Sequence, residues 1–94
     1  MLKNPVHPGV ILKEEYLVPL KLTIIEVSEG LGISRKHLSN ILNAHVSITP
    51  EIALRISKAF RTSPELWLNM QRNYDLREAE KKLTDVTIRI FQQV

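Results

Sequence analysis

The stretch that decides the fold is Thr23-Ile24-Ile25-Glu26-Val27-Ser28-Glu29-Gly30-Leu31-Gly32-Ile33-Ser34-Arg35-Lys36-His37-Leu38-Ser39-Asn40-Ile41-Leu42-Asn43. Thr23 and Glu26 have the spacing of a capping box, in which the threonine accepts a backbone N–H three residues on and the glutamate reaches back. The helix they open continues through Val27 and Ser28 and stops near Gly30. Gly32 stands at the bend, where a positive φ is easiest without a Cβ. Ser34 is the next N-cap and opens a helix that turns Leu38, Ile41 and Leu42 inward. Ser28 is small where a large side chain would hold two helices apart. Val27, Leu31, Ile33, Leu38 and Ile41 then form a wedge between them. The segment predicts a helix-turn-helix, whose second helix can enter the DNA major groove. A plain helical hairpin fits the same pattern.

The outward face of the second helix separates these readings. Ser34, Arg35, Lys36, His37, Ser39, Asn40 and Asn43 make a polar surface with no acid on it. Arg and Lys can donate to guanine O6 and N7, and Asn can pair bidentately with adenine. The N-termini capped by Thr23 and Ser34 offer free N–H groups to phosphates. His45 lies just beyond, and no acidic residue occurs from Gly30 to Pro50. Phosphate binding depends on such local potential more than on net charge, which is only +3 here. The expected DNA-binding set is therefore Thr23, Ser34, Arg35, Lys36, His37, Ser39, Asn40, Asn43 and His45.

Helix signals continue on both sides. Pro8 suits a first helical position, and the run Val10 to Leu17 carries an apolar face that ends before Pro19. Thr49-Pro50-Glu51 and Ser63-Pro64-Glu65 repeat a cap, a first-turn proline and an acid favourable to the helix dipole. Four or five short helices in about 70 residues, joined by short connections, predict an all-α compact helical bundle. From Tyr74 the pattern changes. Leu76, Ala79, Leu83, Val86 and Ile90 recur in steps of three and four, the seam of a coiled coil. Two heptads are too few to stand alone, so residues 75–94 read as a helical extension for dimerisation. Helix is expected to about Arg89, with a short exchanged strand over Val86–Phe91 as the alternative. Folding of the seam back onto the same chain also remains open.

Composition excludes several classes. Ninety-four residues with 24% charged and 44% hydrophobic side chains describe one ordinary globular domain. Cysteine is absent, which removes disulfides, thiolate zinc sites and cysteine nucleophiles and suits a reducing cytoplasm. No apolar run approaches the roughly 20 residues of a membrane span, and Met1 to Pro5 leads into nothing like a signal peptide. His7, His37 and His45 lack the spacing of a helical metal pair, so they read as surface or packing residues. Trp67 reads as core, while Glu14-Glu15 and Lys81-Lys82 read as solvated faces. Gly9, Gly30 and Gly32 form no nucleotide loop. No cofactor, metal or catalytic group is expected.

Taken together, His7-Pro8-Gly9-x-x-Leu12, Leu31-Gly32-Ile33-Ser34-Arg35, Ile41-Leu42-Asn43, Ile48-Thr49-Pro50, Ala53-Leu54-Arg55 and Thr62 to Gln71 resemble HigA-type antitoxins of the Xre or Cro/C1-type repressors. The resemblance covers roughly residues 7–76 and implies an all-α, five-helix, lambda-repressor-like DNA-binding domain over residues 1–74 with a C-terminal helical extension. It implies a cytoplasmic homodimer that binds operator DNA, represses its own operon and neutralises a HigB-type toxin, an mRNA endonuclease. Val10 stands where the family often has Glu, Ile24-Ile25 where it has Gln-Thr, and Ala44-His45 where it has Gly and a basic residue. Two other readings stay open: a phage-type or stand-alone regulator without a toxin, and an interaction module that uses the helix-turn-helix only as scaffold.

Overall fold

The computed structural model describes residues 4–92. Met1 to Lys3 and the last two residues of the expected extension lie outside the described residues. Among the described residues, five helices pack around one core: α1 over residues 8–20, α2 Ile24–Leu31, α3 Arg35–Leu42, α4 Pro50–Phe60 and α5 Pro64–Lys82. All-α architecture follows from how the helices start. Thr23, Ser34, Thr49 and Ser63 each accept the backbone N–H of the residue three positions on, at 3.0–3.3 Å. Thr23 and Glu26 complete their capping box.

The helix ends share another device. Lys21, Gly32, Ala44 and Arg61 all take left-handed backbone angles, with φ between 55° and 71°. At the ends of α1, α2 and α3, the N–H of the left-handed residue and that of the residue after it bond back to the helix's last carbonyls in a Schellman closure, as Gly32 N–H does to Glu29 and Ile33 N–H to Ser28. Only one of these four residues is glycine, so three stops carry no sequence signal.

Helix α1 does not end before Pro19 as expected. An α-turn Pro8–Leu12 passes into a π-turn Lys13–Leu17 and then into Val18–Leu20. Proline has no N–H and would collide with the carbonyl four residues back in a regular helix. The wider π-turn shifts the ladder, with Val18 N–H bonding to Lys13 five residues back, and Pro19 is accommodated without a break.

The core joins Leu12, Leu17, Val27, Leu31, Leu38, Ile41, Leu42, Ile48, Ile52, Ala53, Ile56 and Trp67. Trp67 is fully buried, and its indole N–H donates to Thr62 Oγ1 at 2.7 Å. Tyr16 bridges Trp67 and Phe60 through ring contacts of 5.6 and 5.3 Å. Gln71, also buried, accepts the N–H of Ile48 at 2.8 Å and ties the loop after α3 to α5.

The C-terminal region departs from expectation. Helix α5 runs unbroken past residue 74 but stops at Lys82, not near Arg89. Thr84 Oγ1 donates to the carbonyls of Glu80 and Lys81, and Val86 N–H bonds to Leu83 in a turn. The β-branched Val86, Thr87 and Ile88 that follow lose side-chain freedom in a helix and have no packing partner to offset it. Residues 86–92 are irregular, neither helix nor strand. Leu76 and Ala79 therefore lie on α5, Leu83 at its cap, and Val86 and Ile90 on the segment beyond.

Candidate nucleic-acid interface

Helix α3 is fixed to the body through one face. Residues turn by about 100° per step, so Leu38, Ile41 and Leu42 fall together, and all three are buried. Lys36, Asn40 and Asn43 fall opposite, with Ser39 beside them and Arg35 and His37 on the flanks. Ser34, Arg35, Lys36, His37 and Asn43 are exposed, while Ser39 and Asn40 are half-buried. Asn43 Nδ2 donates to Ser39 Oγ at 3.3 Å. The expected residues from Ser34 to Asn43 thus share one helix and its caps. His45 is exposed at the exit of the turn, after Ala44 at φ +60°.

Thr23 lies on a different element from the others. It caps α2, and Glu26 accepts both its N–H and its hydroxyl at 3.0 Å. A carboxylate thus occupies a donor that a phosphate contact would use. Ile24 and Ile25 beside it are exposed, so the start of α2 is apolar as well as acid-capped.

Two features that hold α3 escaped the sequence reading. At its start, Arg55 of α4 donates to the Leu31 carbonyl at 2.8 Å and more loosely to Gly32. Arg55 also binds Glu51, the first acid after the acid-free window, at 2.9 Å and so offsets its charge beside the site. At the end of α3, Gly9 of α1 lies against the Ile41 carbonyl so closely that no Cβ would fit. His7 is buried next to it, with Nδ1 accepting the Gly9 N–H at 2.9 Å and its ring packed edge-to-face with Tyr74, the centroids 5.0 Å apart. Burial pushes the His7 pKa below its usual value, against the opposing pull of its Val46 backbone bond and of Asp75. No proline- or glycine-based rule points from His7 to residue 46, because the contact exists only once α1, α3 and α5 are packed.

The surrounding architecture is that of a known family. The helix-turn-helix family model matches residues 12–67, more than half the chain. The chain belongs to the Xre/Cro-type helix-turn-helix family. Within it, the chain is 44% identical over 85 residues to virulence-associated protein A of Dichelobacter nodosus, covering 89% of this chain and 83% of that protein. Antitoxin HigA-1 of Vibrio cholerae is 36% identical over 74 residues, 79% of this chain and 70% of the antitoxin. Among solved structures, antitoxin GraA in complex with its operator superposes with a TM-score of 0.83 at 34% identity, over 98% of this chain and all of that one. These relatives place the chain in the HigA-like branch of the helix-turn-helix family. None of the described helices is long and apolar enough to cross a membrane.

Proposed function

We propose that this helix-turn-helix protein is an antitoxin that binds operator DNA, represses its own operon and neutralises a HigB-type toxin. The observation that carries the DNA-binding reading is the outward face of α3, polar and acid-free, on a fold shared with an antitoxin bound to its operator. In this reading Arg35 and Lys36 donate to guanine, Asn40 and Asn43 address adenine, and Ser34, His37, Ser39 and His45 contribute polar or phosphate contacts. Thr23 contributes least, because Glu26 holds its N–H.

One recognition helix reads only a few base pairs, so two copies are needed for a specific site, with half-sites about 34 Å apart or a multiple of that. The association surface is assigned to residues 75–94. Leu76, Leu83, Val86 and Ile90 are each at least half exposed, and Ala79 is exposed beside them. An open groove of about 520 Å³ beside Leu76 and Ala79 has an apolar floor of Ile48 and Leu68 and is also lined by the polar Gln71, Arg72 and Asp75. Exposed apolar stripes of this extent mark contacts.

Charge reversal tests the reading. Arg35→Glu with Lys36→Glu should abolish binding to DNA from upstream of the gene while leaving the fold and toxin capture intact. A double variant that still binds this DNA would make the helix-turn-helix a scaffold and the protein an interaction module.

A further inference from the structure

We infer that Arg55 is a positioning residue for the recognition helix, holding the turn of the helix-turn-helix rather than touching DNA itself; the inference rests on the operator-binding reading of α3. Arg55 sits on α4, 23 and 24 residues from the carbonyls it reaches. Those carbonyls, Leu31 and Gly32, belong to the last residue of α2 and to the left-handed residue that sends the chain into α3. Helix C-termini leave carbonyls without intrahelical partners and carry negative partial charge, so a guanidinium there satisfies both needs.

Every nitrogen of the guanidinium has a partner in this arrangement. Nη1 donates to Leu31 at 2.8 Å, while Nε and Nη2 both donate to one oxygen of Glu51, at 3.2 and 2.9 Å. Glu51 thereby fixes the side-chain rotamer, since it lies one helical turn earlier on α4. Gly32 completes the fit: a Cβ there would lie 2.9 Å from Nη1, so the absent side chain is the space the guanidinium fills. The angle at which α3 leaves the turn is thus fixed from α4, a helix expected to contribute no base contact. Lysine carries the same charge without the fork and cannot hold a carbonyl and a carboxylate together.

The test uses the full chain with Arg55→Met, Arg55→Lys and Glu51→Gln. Amide hydrogen exchange at Gly32 and Ile33, the donors of the turn, is measured alongside affinity for upstream DNA across a salt series. Arg55→Met should speed exchange at these two amides without a matching change in the α4 and α5 cores. It should weaken DNA binding roughly 10- to 100-fold, the range set by losing a charge-assisted hydrogen bond. The slope of log affinity against log salt should be unchanged, because no phosphate contact is removed. Arg55→Lys should restore little. Glu51→Gln removes an acid, which simple electrostatics says should tighten binding; holding through Arg55 says it should weaken it by about two- to fivefold.

Wild-type exchange at Gly32 and Ile33 in Arg55→Met would overturn the inference. So would a salt slope reduced by about one, which assigns Arg55 to a phosphate. A wild-type protein with no affinity for the DNA would overturn the operator reading instead, and the exchange data would still decide whether Arg55 holds the turn.

Discussion

Gly9→Ala should destabilise this protein, against the usual direction for that substitution in a helix. Gly9 is the second residue of α1, and alanine in an unobstructed helix gains about 0.5–1 kcal/mol over glycine. Here a Cβ would lie 2.7 Å from the Ile41 carbonyl carbon and overlap its oxygen, where real contacts stay beyond 3.0 Å. The obstruction is backbone, not a flexible side chain, and Ile41 is fully buried. Either the first turn of α1 or the end of α3 must move, and the Gly9 N–H to His7 bond moves with it. Overpacking costs about 1–3 kcal/mol, and rigid backbone puts this case at the upper end. The net loss should be about 2–3 kcal/mol, or roughly 10–20 °C in Tm for a domain of this size. Gly30→Ala is the internal control. Gly30 lies within α2 with nothing within 4 Å of a new Cβ, so this variant should gain about 0.5–1 kcal/mol. Urea and thermal melts at one fixed protein concentration measure both, since association links Tm to concentration. A Gly9→Ala protein as stable as wild type would refute the close approach of α1 to α3.

His7 gives stability a pH dependence. Its folded pKa lies below the unfolded one, so the stabilisation is complete above about pH 6.5 and is lost as pH falls toward the folded value. His7→Asn should lose this acid limb, and urea midpoints from pH 7 to 5 check it. Thr49→Ala and Ser63→Ala each remove a side-chain cap and should each cost about 0.5–2 kcal/mol; melts showing no loss for either would contradict the cap geometry. Leu83→Asp changes a half-exposed residue at the end of α5 and should give a folded monomer by sedimentation, with DNA affinity lowered far more than stability. A Leu83→Asp protein that stays dimeric would place association elsewhere, and an unfolded one would assign Leu83 to the intrachain core.

The helix starts were legible because Thr23, Ser34, Thr49 and Ser63 act within three residues, a distance the sequence displays directly. The stops were not. Lys21, Ala44 and Arg61 adopt left-handed angles that their identities do not announce, and a π-turn carries α1 through Pro19. The wedge of the helix-turn-helix was legible because burial of Val27, Ser28, Leu31, Leu38 and Ile41 follows helical spacing. What holds the recognition helix was not. Arg55, His7 and Gln71 act on carbonyls, amides and rings far away in sequence, and only the assembled packing brings them there. The expected continuation of α5 to Arg89, where the helix in fact stops at Lys82, has the opposite origin. The three-four spacing of Leu83, Val86 and Ile90 reads as a helix, but one face of apolar residues does not hold a helix without a surface to cover it.

The most direct test of the central claim is the salt dependence of binding to DNA from upstream of the gene. If α3 and its caps bring two copies onto the duplex and neutralise about six to ten phosphates, affinity should fall roughly 10³- to 10⁵-fold between 50 and 200 mM salt. Binding that is indifferent to salt, or that survives reversal of Arg35 and Lys36 with an unchanged slope, would contradict it.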